Sequence, residues 1–269
     1  MFYDLASTTW GDEELEAIRR VCRSDRYTMG EEVKRFEEAF AEKFGMAHAV
    51  MVNSGSSANL IALFALADAL VPADGALPRR ILPGSEVIVP ALTWSTTIWP
   101  VLQVGAKPVF VDCDPHSLQM RPDAIEAAIT PDTSAIVVVH VLGGAVDVAA
   151  VEAIARRRKL WLFEDTCESL GVAWNGKRVG SFGHLASFSF YFSHHITTIE
   201  GGMVVTNNAQ LADLLRAIRA HGWVRDMHAG KDIAAGYPHI DPRFLFHTST
   251  TPARIVWCCL DKKWLVPSF

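Results

Sequence analysis

Positive charge is in short supply in this chain: 25 lysines and arginines stand against 30 aspartates and glutamates, giving a formal charge of −5 and an isoelectric point near 6.0. With no block of like charge either, the sequence has no electrostatic footprint for nucleic acid. Long apolar runs are missing too. They are broken by Asp68, His140 or Asp147 before reaching the roughly 18 residues of a membrane span. The start, Met1-Phe2-Tyr3-Asp4-Leu5, has no basic segment ahead of an apolar one, so the expectation is a cytoplasmic protein without a membrane partner. Cysteines are few and odd in number, five in 269 residues, which argues against a disulfide framework and for reduced thiols. Cys22, Cys113 and Cys167 have no zinc spacing, and the adjacent Cys258 and Cys259 are poorly placed to share one tetrahedral ion.

Half of the residues are hydrophobic, enough for a large core. Residues 11–23 carry Leu15, Ile18 and Cys22 at helical spacing, and residues 31–44 form a second helical stretch stopped by Gly45. The pattern then changes. Short β-branched runs at 47–52, 86–92, 108–112, 135–142, 160–164, 187–191 and 203–206 alternate with helical stretches, among them an apolar one at 60–70. Alternation of this kind predicts an α/β fold, a mostly parallel sheet with helices on both faces. Ligands of such sheets sit beyond the carboxyl ends of the strands, so the residues just after each run are the ones to inspect.

Four of those ends carry unusual chemistry. Residues 53–59 read Asn-Ser-Gly-Ser-Ser-Ala-Asn and lead into the apolar helix. That composition suits either a plain N-cap or a seat for a phosphate dianion. Trp94, following the run at 86–92, is either a core aromatic or a flat surface for a ring. Glu164-Asp165-Thr166-Cys167-Glu168 places carboxyls where an apolar strand leaves the core, either solvated or functional. The fourth segment runs from Ser187 through Ser189, His194 and His195 to Glu200-Gly201-Gly202. Neighbouring residues of an extended segment point to opposite faces, so His194 and His195 would not readily chelate one ion, and no metal site is expected.

Taken together and in this order, the four segments resemble the DegT/DnrJ/EryC1/StrS family of nucleotide-sugar aminotransferases, over a stretch reaching to about Phe246. The resemblance implies the aspartate-aminotransferase type of fold (fold type I) and the coenzyme pyridoxal 5′-phosphate (PLP). It also implies roles. The coenzyme phosphate would meet Ser56, Ser57 and Ser189, the pyridine ring would lie against Trp94, and Asp165 would pair with the ring nitrogen. Glu168 stands where the family has glutamine, toward the ring hydroxyl or the sugar. A large coenzyme domain would occupy residues 1–246. Residues 247–269 match nothing in the family, whose fold continues with a small C-terminal domain, so a truncation or shifted reading frame after about Phe246 is expected.

One departure changes the implied chemistry. Counting forward from Ser189-Phe190 and back from Glu200-Gly201-Gly202 puts His194 where the family's coenzyme-tethering lysine belongs, with His195 on the asparagine after it. Neither Lys177, in the turn Asn175-Gly176-Lys177, nor Lys159, at a basic helix end, takes that place. Imidazole cannot tether the coenzyme, but with an ordinary pKa of about 6.5 it can remove a proton. In this form the chain resembles the histidine-bearing branch of the family, whose members remove the C3 hydroxyl of a 4-keto-6-deoxy nucleotide sugar. The resemblance therefore implies pyridoxamine phosphate as the working coenzyme, glutamate as the amino donor that recharges it, a GDP-linked sugar (CDP being the alternative), and a homodimer. An iron–sulfur cluster, found in one histidine-bearing relative, is not expected, because no cysteines follow Arg225-Asp226 until Cys258. A protein that keeps the fold without catalysis, and an ordinary aminotransferase, which the missing lysine opposes, are the rival readings.

Overall fold

A computed structural model describes residues 10–68, 71, 77–224 and 227. The expected boundary at residue 246, the segment 247–269, and Cys258 and Cys259 lie outside the described residues. Two helices come first, α1 (Asp12–Ser24) and α2 (Glu31–Phe44). Gly45 ends α2 in the left-handed conformation at φ 68°, where the missing Cβ costs nothing, as its position in the sequence predicts. Strands and helices then alternate: β1 (His48–Val52), α3 (Gly55–Ala67), β2 (Glu86–Pro90), α4 (Ser95–Gln103), β3 (Lys107–Val111), α5 (Pro122–Ala127), β4 (Thr133–Val139), α6 (Val148–Arg158) and β5 (Trp161–Asp165). A small hairpin follows, β6 (Ala173–Trp174) and β7 (Lys177–Arg178), then β8 (Leu185–Ser189), β9 (Gly202–Thr206) and α7 (Ala209–Arg219). The turn of the hairpin is Asn175-Gly176, both at positive φ, and Lys177 belongs to the strand after it.

Seven strands form one sheet in the order β1-β9-β8-β5-β4-β2-β3. Every neighbouring pair is parallel except those made by β9, which runs against both β1 and β8. Successive residues of a strand alternate between faces, and here both faces are covered. Ala135, Val137, Trp161, Phe163 and Leu185 pack with Leu63 and Leu66 of α3 and Leu211 and Leu215 of α7. On the other face, Ile136, Val138 and Leu162 meet Ile125 of α5 and Val151 and Ile154 of α6, while Phe188 and Met203 meet Phe40 and Phe44 of α2. Near-continuous Val/Ile/Leu runs are what a strand buried on both sides requires. The architecture is the α/β class expected, and it brings the carboxyl ends of β1, β2, β4, β5 and β8 and the start of β9 to one edge. No helix among the described residues is long and apolar enough to cross a membrane.

Candidate active site

A cleft of about 460 Å³ opens along that edge, lined by Ser54, Gly55, Ser56, Asn59, Thr93, Trp94, Thr96, Thr97, Asp165, Cys167, Glu168, Ser189, Tyr191, Ser193, His194 and Glu200, among others. Six of the seven residues singled out from the sequence line it. The seventh, Ser57, sits in the first turn of α3, where its N–H donates to Ser54 Oγ at 3.0 Å and its hydroxyl accepts from Ser54 at 3.1 Å.

The start of α3 is fixed by capping and by close approach. Ser54 is the N-cap, so the helix begins at Gly55, earlier than the apolar pattern from residue 60 suggests, and Ser56 and Ser57 fall in its first turn. Helix geometry leaves the first amides without intrahelical acceptors. Glycine is required on both sides of this junction. A Cβ on Gly55 would stand 2.5 Å from Cβ of Ser189, and one on Gly202 would stand 2.2 Å from the Ser54 carbonyl oxygen. The Gly-Ser turn, the end of β8 and the start of β9 therefore close together around one anion-sized corner.

Asp165 is the last residue of β5 and only 4% exposed. Its Oδ2 accepts from Asn59 Nδ2 at 2.8 Å and from Thr97 Oγ1 at 2.9 Å, and its Oδ1 accepts from the Cys167 N–H at 3.2 Å. Those partners are held in turn: Ser187 Oγ donates to Asn59 Oδ1 at 2.6 Å, and Thr93 Oγ1 donates to Thr97 Oγ1 at 3.0 Å. The carboxylate cannot rotate without breaking several bonds. Burial is the first cause that pushes the neighbouring Cys167 thiol well above its ordinary range, with the charge of Asp165 second, so it stays protonated.

Trp94, at 70% exposed, is a platform on the cleft wall and not a core aromatic. Glu168 is tied down through its side chain, whose Oε2 accepts from the Leu142 N–H at 2.8 Å, and through its carbonyl, which accepts from the Gly143 N–H at 3.1 Å. Glu164, one residue before Asp165 and facing the other way, is structural. It is wholly buried and accepts from the Gly180, Phe182 and Gly183 amides at 2.7, 2.8 and 2.6 Å and from His140 Nε2 at 3.1 Å. Because His140 Nδ1 accepts from the Val146 N–H, the ring hydrogen sits on Nε2.

His194 is half-buried on the loop from β8 to β9, its N–H donating to the Tyr191 carbonyl at 2.9 Å and the loop returning through Thr198 N–H to the Phe190 carbonyl at 3.0 Å. Desolvation holds its pKa below the ordinary histidine value, and the neighbouring His195 acts in the same direction, partly offset by Glu168 and Asp165. A neutral imidazole therefore faces the cleft. Among the described residues no lysine lines it. The sequence reading missed Ser54, Asn59, Thr97, Tyr191, Ser193 and Glu200. An asparagine one turn inside an apolar helix was the available signal, since a buried amide demands partners.

A cleft at the carboxyl ends of a mostly parallel sheet, floored by a buried aspartate and cornered by a glycine-serine helix start, is the arrangement of an aspartate-aminotransferase-like α/β fold. Residues 8–238 match the DegT/DnrJ/EryC1/StrS aminotransferase family, and the chain belongs to that family. It is 44% identical over 240 residues to the GDP-4-keto-6-deoxy-D-mannose 3-dehydratase of Yersinia pseudotuberculosis, an alignment covering 89% of this chain and 59% of that protein. Among solved structures it resembles a GDP-4-keto-6-deoxymannose 3-dehydratase captured with a trapped PLP-glutamate geminal diamine (42% identity, TM-score 0.78, 84% of this chain and 57% of the other). It also resembles an aminotransferase from Psychrobacter cryohalolentis (32% identity, TM-score 0.77, 91% and 59%). The chain thus spans somewhat under two thirds of the length of these relatives.

Proposed function

We propose that the chain binds pyridoxal and pyridoxamine 5′-phosphate in this cleft and carries the site for 3-dehydration of a 4-keto-6-deoxy nucleotide sugar, GDP-4-keto-6-deoxy-D-mannose in the first instance. The observation that carries the reading is His194 in the cleft where a tethering lysine would stand, with no lysine elsewhere on the lining among the described residues. The residues present fit the coenzyme. The start of α3, with Ser56, Ser57 and Ser189, would hold the phosphate by free amides, hydroxyls and the helix dipole. Trp94 would carry the ring, and Glu168 would stand at its edge. Asp165, buried and accepting three hydrogen bonds, would meet the ring nitrogen and keep it protonated.

When bound, the coenzyme supplies an amine for the sugar's C4 keto carbon and a ring that accepts electrons. His194, neutral in this setting, would be the group that accepts a proton at the coenzyme's edge, and the C3 hydroxyl of the sugar would be the group that leaves. Glutamate supplies the amine consumed. The balance is one 4-keto-6-deoxy sugar and one glutamate giving one 4-keto-3,6-dideoxy sugar, 2-oxoglutarate and ammonia. We further propose a homodimer, a reading supported by Trp99, Leu102 and Phe110, which stay exposed on α4 and the edge strand β3 and which sedimentation of the same preparation would test.

The decisive experiment incubates the protein with coenzyme, glutamate and candidate 4-keto sugars. Equal amounts of ammonia and 2-oxoglutarate with a deoxygenated sugar are expected, and His194→Asn should abolish them. Nitrogen found on the sugar, or coenzyme fixed covalently to the protein by borohydride, would overturn the reading in favour of transamination.

A further inference from the structure

We propose that Glu168, besides standing at the coenzyme's edge, is the fixed countercharge that lets His194 hold the proton it removes. The proposal rests on His194 as the base. A neutral base that takes a proton becomes a cation, and this cation forms in a half-buried place beside a second histidine. Both surroundings oppose it, so a carboxylate in reach is needed to offset them.

The groups that face His194 can be named element by element. Its own loop supplies Tyr191 and Glu200 on the cleft lining and the adjacent His195 beside it; the segment leaving β5 supplies Asp165, Cys167 and Glu168; no arginine or lysine lines the cleft among the described residues. Of the two carboxylates that act on His194, Asp165 has both oxygens committed, to Asn59, Thr97 and the Cys167 amide. Glu168 differs. Its Oε2 is pinned by the Leu142 amide and its carbonyl by the Gly143 amide, while Oε1 accepts no hydrogen bond among the described residues. The pinning is itself unusual, because Leu142 presents its N–H from the left-handed region at φ 50°, a conformation that a leucine adopts only when its surroundings impose it. Glu168 is thereby kept at the cleft, and it is the stronger of the two carboxylates that draw His194 toward its charged form.

The test follows the imidazole directly. The full chain would be prepared with 13C-labelled histidine, the His194 signal identified by its loss in His194→Asn, and its titration midpoint read without substrate. In Glu168→Gln, whose amide oxygen still accepts the Leu142 N–H, the midpoint should fall below that of the wild type, and Glu168→Asp should bring it back toward the wild-type position. Asp165→Asn should move it less. The acid limb of the kcat/KM profile should shift to lower pH in Glu168→Gln, together with a lower plateau, because a weaker base is a poorer proton acceptor. An unmoved or raised midpoint in Glu168→Gln, or a larger fall in Asp165→Asn, would overturn the proposal. Turnover surviving in His194→Asn would instead remove the base assignment and leave the titration result standing, so the two failures are separable.

Discussion

Asp165 shows how much of this site is made by residues that hold other residues in place. A carboxylate 4% exposed needs hydrogen-bond donors, and it takes them from Asn59 and Thr97, 106 and 68 positions away in sequence. Asp165→Asn would turn an NH2 group toward donors or give up an oxygen they need, and it would lose the charge proposed to meet a protonated ring nitrogen. A charge-assisted hydrogen bond contributes about 1.5–3 kcal/mol, so pyridoxal phosphate should bind roughly 10- to 100-fold more weakly, read from its absorbance on titration. Unchanged affinity would remove Asp165 from that role. The aspartate, Trp94 and His194 were legible because each stands at or after the end of a strand, where a parallel sheet puts its ligands. Asn59 and Thr97 were not legible, because they lie inside helices and only the folded chain brings them to the carboxylate. His194 was legible through the segments that flank it, counted from both sides. Its depressed basicity was not, since that depends on burial and on which carboxylates end up nearby.

The element that organises the cleft is the short passage from β1 into α3, clamped by β9. Gly202 pairs with Val52 on one side and Ser189 on the other, and a side chain there has nowhere to go but into the Ser54 carbonyl. Gly202→Ala should cost about 1–3 kcal/mol by overpacking, a fall in Tm of roughly 2–10 °C, and should weaken phosphate binding at the same time. A thermal melt with and without coenzyme checks both, and a variant that melts like the wild type would show that the junction yields. The sequence pattern located the seven long strands to within a few residues and the class of fold with them. It overran β4, because His140 leaves the strand to bond across the sheet and Leu142 turns left-handed, neither of which alters the apolar pattern. It could not show that β9 runs the other way, since a strand buried on both faces reads the same in either direction.

The acid response of the whole molecule follows from where its histidines ended up. Burial lowers the pKa of His184, with Glu152 offsetting part of the effect, and protonating its Nδ1 would sacrifice the bond accepted from the Leu162 amide at 3.1 Å. His194 is lowered in the same way. Both groups bind protons less readily folded than unfolded, so the unfolded chain takes up more protons as the pH falls. Stability must therefore decline from about pH 6.5, the unfolded histidine value, down to the folded midpoints, and the histidines add nothing further below them. Asp114, Asp123 and Glu126 are held low by amide or arginine partners and act later, their contribution being present above roughly pH 4 and lost below it. Acid unfolding should accordingly proceed in two stages with a shoulder between them. Urea midpoints measured from pH 7.5 to 5 should fall for the wild type and fall less for His184→Asn, whose side-chain oxygen can accept the Leu162 N–H without titrating. If the variant proves as acid-sensitive as the wild type across that range, His184 is not the group that senses it.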